Sequence, residues 1–310
     1  MTSRILAIAA TLVLCCAAAD ARTFDRALIV GDSLSDQGRL DAVLGTLGLP
    51  TRTPAPPYVD GRFSNGPIWT DRLIGRLGLD PTRVDSLAVG GARTTGHNGT
   101  DGLDDAERAP LEALGLLGVK EQAAAFVASG GEISPKGLHV VWGGSNDYLF
   151  GNAFQPGAPD PVQTIVETVE LLGAAGARSF LVLGVPDLGM IPQSVGDPVL
   201  GPLLSAASSQ HNARLASALD ATRDRLGLEV FALDVAALIA GAPAFGFANV
   251  TEPCIGLADC GGFLYFDGLH PTTAGHAVLA DQALQVVPLP GTAVLFVSAA
   301  ALLAWRSRRG

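Results

Sequence analysis

Five short stretches rich in apolar residues recur along the chain: Phe24 to Val30, Val84 to Val89, Leu138 to Trp142, Arg178 to Val185 and Glu229 to Val235. Runs of this length predict strands buried on both faces of a parallel sheet. Segments with helical spacing lie between them. Pro67 stands as a first-turn proline before Ile68, Trp69, Leu73, Ile74 and Leu77. Leu111, Leu114, Leu117, Gln122 and Phe126 keep an approximate helical rhythm from Leu111 to Val127, and Val162 to Leu172, Ala206 to Leu226 and Thr273 to Leu284 predict three more helices. Arg39 to Leu49 reads as a helix or an irregular turn. Four prolines between Pro50 and Tyr58 forbid regular structure and predict a loop over the sheet edge. Strands alternating with helices through short connections imply right-handed crossovers and an α/β fold: a three-layer α/β/α sandwich around a mainly parallel five-stranded sheet.

The two ends do not fit this alternation. Arg4 precedes an apolar run, Ile5 to Leu14, and then the small residues Ala17-Ala18-Ala19-Asp20-Ala21, the layout of a removable export signal over residues 1–21. The run is shorter than the roughly 20 apolar residues that a bilayer span requires. Cys15 and Cys16 follow Leu14 and Cys15, not the small residue of a lipid-modification site. Residues 287–310 combine Val287-Pro288-Leu289-Pro290, an apolar run from Gly291 to Trp305, and Arg306-Ser307-Arg308-Arg309. That is a proline break, a marginal membrane span and arginines that stay on the cytoplasmic side. The expectation is an exported protein, periplasmic, on the cell surface or secreted, with residues 22–286 as its body and the tail as a membrane attachment.

Composition narrows the function classes. The chain is 48% hydrophobic and 16% charged, with 38 glycines and 20 prolines, which suits a large core with many turns and excludes wholesale disorder. Setting aside Arg4, Asp20, Arg306, Arg308 and Arg309 in the two ends takes the formal charge from -10 to -13, so nucleic acid is not an expected partner. Export leaves Cys254 and Cys260 in the body, six positions apart in a Pro- and Gly-rich loop. A disulfide between them is the default, with a free pair as the alternative. No Cys-x-x-Cys or His-x-x-x-His spacing accompanies them, so no metal is expected.

Candidate chemistry sits where the strands end. The first strand runs into Gly31-Asp32-Ser33-Leu34-Ser35-Asp36, which sets the Ser33 hydroxyl at the carboxyl end of a strand, the edge where open α/β sheets place their ligands. The second ends in Gly90-Gly91, two residues that let a backbone N–H approach a ligand closely. The third ends in Gly143-Gly144-Ser145-Asn146-Asp147, where the Asn146 amide can aim an N–H at a developing oxyanion and Asp147 reads as a helix cap. Near the end of the body, Asp267-Gly268-Leu269-His270-Pro271 places a carboxylate and an imidazole three apart, on one face of a helical turn, as orienter and base. His97 reads as a solvated loop residue, His139 and His211 as structural, and His276 as a weaker base than His270.

These segments, in this order, resemble the signatures of the GDSL family of lipases and esterases, the SGNH hydrolases, over roughly residues 24–285. The resemblance implies a flavodoxin-like sheet order, Ser33 as nucleophile, Asp267 and His270 as the rest of a triad, and an oxyanion hole from Ser33, Gly91 and Asn146, with Gly91 favoured over Gly90. It implies an ester substrate, lipid or acylated small molecule or glycan, and no cofactor. Gly61-Arg62-Phe63-Ser64-Asn65-Gly66-Pro67 resembles a segment of the autotransporter and plant-like branches, expected to shape the pocket wall or simply to start a helix; Arg62 and Asn65 stay outside the catalytic set. The tail resembles a PEP-CTERM-type sorting signal of the VPLPA variety, with Gly291 replacing the usual alanine, and implies an exosortase-like processing enzyme. An α/β-hydrolase is disfavoured because no Gly-x-Ser-x-Gly elbow occurs. An acyltransferase of the same fold and an idle surface protein are the competing readings.

Overall fold

A computed structural model of the chain describes residues 23–46, 57–96, 116–151 and 153–287. The expected export signal over residues 1–21, most of the tail, His97 and the start of the helix expected at Leu111 lie outside the described residues. Five strands, β1 (Ala27–Gly31), β2 (Val84–Ser86), β3 (Leu138–Trp142), β4 (Ser179–Leu183) and β5 (Glu229–Leu233), form one parallel sheet in the order β2-β1-β3-β4-β5. This is the flavodoxin-like order, in which the chain reverses direction at β1 and β3.

The period of two along each strand divides the core. Ala27, Ile29, Val140 and Leu181 point to one face, packed with Trp69 and Leu73 of α2 (Trp69–Leu77) and with Leu279 and Ala283 of the last helix, α8 (Thr273–Val286). Leu28, Val30, Val141 and Val182 point to the other. There they meet Val119 and Ala123 of α3 (Val119–Ala128), Ile165 and Val169 of α5 (Pro161–Ala174), and Leu215 and Leu219 of α6 (Leu200–Leu226). The remaining helices are α1 (Arg39–Thr46), α4 (Ser145–Leu149) and α7 (Val235–Ala240). β1, β3 and β4 are buried throughout, as near-continuous apolar runs require, whereas the edge strands β2 and β5 are partly exposed.

Several boundaries differ from the sequence expectation for local reasons. β2 is shorter than Val84 to Val89, although Leu87 and Val89 still donate to the carbonyls of Ile29 and Gly31. α3 begins at Val119 because the carbonyls of Arg93 and Thr94 take the Val119 and Lys120 N–H groups, which anchors the helix start to the loop after β2. The fifth strand stops before Asp234, whose carboxylate accepts the Ala237 N–H and caps α7. α6 starts earlier than Ala206. Pro202 is no obstacle there, since a first-turn residue has no intrahelical acceptor to lose. A small parallel pair, β6 (Asn249–Pro253) and β7 (Phe263–Tyr265), was not expected; the Cys254–Cys260 disulfide closes the loop between them.

Candidate active site

Ser33 stands two residues beyond β1. The strand end is gripped from α3: the buried Gln122 amide accepts the Gly31 N–H and donates to the Gly31 carbonyl, each at 2.9 Å. The turn then closes through Asp32, whose carboxylate accepts the Leu34 N–H and whose carbonyl accepts the Ser35 N–H. Burial pushes the Asp32 carboxyl up to about 7 even against the Leu34 hydrogen bond and the nearby His270. Neither carbonyl nor carboxylate takes the Ser33 N–H, which has no acceptor among the described residues.

Asp36 decides which glycine after β2 can serve a ligand. One of its oxygens accepts the Gly38 and Arg39 N–H groups at the start of α1, and the other accepts those of Leu40 and Gly90, the last at 2.7 Å. The Gly90 N–H is therefore spent, and the Gly91 N–H has no acceptor among the described residues. Gly91 lies at φ +80, the left-handed region that favours glycine, and a Cβ on Gly90 would stand 2.4 Å from the Phe63 ring. Asn146 is buried against the same loop, with Nδ2 donating to the Ala92 carbonyl at 2.9 Å and a second proton left over. Asp147 is not the expected cap: from inside α4 it reaches across to accept the Thr94 N–H and hydroxyl, and burial holds its carboxyl up at about 6.

His270 joins these loops. Its Nε2 lies 2.8 Å from Ser33 Oγ and its Nδ1 2.7 Å from Asp267 Oδ2. With the Nδ1 proton donated to the carboxylate, Nε2 is left to accept from the serine hydroxyl. The two residues do not share a helical turn, as their spacing had suggested. They lie in the bend between β7 and α8, and the Asp267 carboxylate makes that bend itself by accepting the Leu269 and His270 N–H groups at 2.8 and 2.6 Å. Burial opposes ionisation of Asp267, but the hydrogen bonds from His270 and Tyr58 outweigh it and hold the carboxyl at about 2.

The other described histidines stand apart from this chain of contacts. His139 bonds the Ser179 carbonyl, His211 bonds the Tyr148 hydroxyl, and burial holds His211 at about 4 and His276 at about 3. Cys254 and Cys260 form a disulfide, with Cα atoms 5.3 Å apart. The adjoining Ile255 N–H bonds the Phe266 carbonyl beside Asp267. Behind the site, Leu34, Leu269 and Pro271 line an apolar cavity of about 40 Å³ whose walls include neither Ser33 nor His270.

Three contributions escaped sequence reasoning. The helical rhythm marks Gln122 only as a position on a helix face, although a buried polar residue on an apolar face signals a backbone to satisfy. Asp36 does more than cap the start of α1, since it also accepts the Gly90 N–H. The Gly61–Pro67 segment does more than start a helix: Ser64 Oγ donates to the Pro271 carbonyl, and Asn65 Oδ1 accepts the Thr273 N–H at the first residue of α8.

The model of the family described as GDSL-like Lipase/Acylhydrolase matches residues 28–283. The chain is 24% identical to a phosphatidylcholine-sterol acyltransferase of Aeromonas hydrophila, over 86% of this chain and 91% of that protein. It is 27% identical to the esterase EstA of Pseudomonas aeruginosa over 85% of this chain, but spans only 47% of that protein. Among solved structures, a member of the lipolytic protein G-D-S-L family from Veillonella parvula aligns with a TM-score of 0.47 and 13% identity, over 84% of this chain and 97% of that one. With the family model spanning residues 28–283, and with them Ser33, Gly91, Asn146, Asp267 and His270, the chain belongs to the GDSL-like lipase/acylhydrolase family and is a hydrolase acting on ester bonds.

Proposed function

We propose that the protein is an exported serine esterase or lipase that cleaves carboxylic esters through an acyl-enzyme on Ser33. The single observation that supports this most is the unbroken chain from Ser33 Oγ to His270 Nε2 and from His270 Nδ1 to Asp267, at 2.8 and 2.7 Å. His270 takes the Ser33 proton as Oγ attacks the ester carbonyl, and Asp267 stabilises the imidazolium. The oxyanion is met by the backbone N–H groups of Ser33 and Gly91 and by the Asn146 amide. The intermediate collapses, the alcohol leaves with the proton held on His270, and a water activated by the same imidazole releases the acid.

The substrate is a lipid or an acylated small molecule or glycan. An apolar acyl group suits the exposed Val59 and Ile255, which flank Tyr58 and the Asp267 loop. Likeness to the Aeromonas hydrophila acyltransferase, along nearly all of that protein, favours one second reading, in which an alcohol replaces water as acyl acceptor. The residue pattern at the ends supports export: cleavage after residue 21, and a tail over 287–310 that attaches to a membrane or is handed to an exosortase-like enzyme.

The test is hydrolysis of a chromogenic short-chain ester by the purified protein and by Ser33→Ala. The variant should fold normally, lose turnover by a factor on the order of 10⁴ or more, and fail to accumulate an acylated species by mass spectrometry. Equal turnover in both refutes the mechanism. Adding a primary alcohol separates hydrolysis from acyl transfer, and the mass of the product recovered from the producing cell's exterior locates the processing sites.

A further inference from the structure

Tyr58 has no part in the scheme above, yet it touches the triad. Its hydroxyl donates to Asp267 Oδ2 at 2.6 Å, the same oxygen that accepts from His270 Nδ1. The other oxygen accepts the Leu269 and His270 backbone N–H groups. An ionised carboxylate has about four lone-pair sites, and here each has a donor. Asp267 can neither rotate nor take up a proton without breaking one of these bonds.

The loop that carries Tyr58 is itself fixed to both halves of the site. The Arg62 guanidinium forks onto Asp71 at 2.7 and 2.9 Å, and Asp71 also accepts from Gln37 in the loop that follows Ser33. Ser64 and Asn65 bond Pro271 and Thr273, immediately beyond His270. The Tyr58 ring meets the Phe266 ring edge-on, with centroids 5.0 Å apart, and Phe63 lies against the His270 ring at the same separation. A side chain held from so many directions reaches Asp267 with little entropy left to lose.

We propose that Tyr58 is a positioning residue for ester hydrolysis, saturating the Asp267 carboxylate so that it stays ionised and aimed at His270, and that residues 58–65 form the strap that delivers it. The inference rests on the triad reading above. Its physical content is order: with each lone pair of Asp267 occupied, the carboxylate holds the imidazole in one orientation and one tautomer. Removing the hydroxyl should loosen the carboxylate and its hold on His270 Nδ1.

Tyr58→Phe keeps the ring and its aromatic contacts and deletes only the donor. The expected result is a fall in kcat of about 10-fold with KM unchanged. The low-field proton resonance of His270 Nδ1, which reports on its bond to Asp267, should shift. The titratable groups facing His270 are Asp267 in its own bend, Tyr58 on the strap, Asp32 in the loop after β1 and His276 on α8; of these the variant alters only the Tyr58–Asp267 bond. In an Asp267→Ala background the same change should do nothing further, because Tyr58 acts through that carboxylate. A His270 Nδ1 resonance superimposable on the parent's, or a full additional loss in the double variant, overturns the proposal. Ser33→Ala run alongside keeps the two readings apart: if it retains turnover the triad itself fails, whereas a dead Ser33→Ala with an unaltered Tyr58→Phe removes only the role of the strap.

Discussion

Asp267→Asn strikes the site at its most crowded point. Both Asp267 oxygens accept two hydrogen bonds, and asparagine has only one oxygen to offer. If the amide nitrogen takes the place of Oδ2, it confronts the Tyr58 hydroxyl and the His270 Nδ1–H. The imidazole then relieves the clash by carrying its proton on Nε2, the nitrogen 2.8 Å from Ser33 Oγ, where it can no longer accept the serine proton. If the nitrogen takes the place of Oδ1, it faces two backbone N–H groups and the bend opens. Either way kcat should fall on the order of 10⁴-fold, with little change in KM.

The same substitution has a stability signature. Burial raises the Asp267 carboxyl, but its hydrogen bonds with His270 and Tyr58 hold it at about 2 against an ordinary 3.8. A depression of that size stabilises the folded chain by about 2 kcal/mol. Because the folded value is the lower one, this contribution is fully present above 3.8 and is lost as pH falls through about 2. Urea unfolding at neutral pH should therefore find the asparagine variant about 2 kcal/mol less stable, with the gap narrowing as the pH is lowered from 3.8 toward 2. A kcat within tenfold of the parent's, or a stability gap that does not change with pH, refutes the reasoning.

Asn146→Ala removes one proposed oxyanion donor together with its anchor on the Ala92 carbonyl, and should lower kcat by roughly 10² to 10³ with KM nearly unchanged in steady-state ester hydrolysis. Cys254→Ser opens a small loop between β6 and β7 and should cost about 2 kcal/mol in urea unfolding, an effect that a reductant reproduces in the parent protein and not in the variant.

How much of this was legible in the chain follows from the architecture. In a parallel sheet every strand delivers its carboxyl end to one edge, so residues just past β1 and β3 arrive together once the strands are identified. That is why the loops carrying Ser33 and Asn146 could be placed at one sheet edge from sequence, and why β3 was bounded correctly from a mostly apolar run interrupted only by His139. The Asp267–His270 spacing set them within reach of each other. It did not reveal that the carboxylate folds the bend that brings them together.

Apolar patterning by itself determined the layers and the parallel sheet, because burying the faces of each element is a local instruction repeated along the chain. Only the tertiary structure decided that Asp36 would occupy Gly90 and leave Gly91, that Gln122 would hold the end of β1, and that Tyr58 would complete the Asp267 shell. Those bonds join residues 54, 91 and 209 positions apart. A single donor and acceptor at such separations leave no period in the sequence; they exist because the packed core has already fixed where each loop must stand.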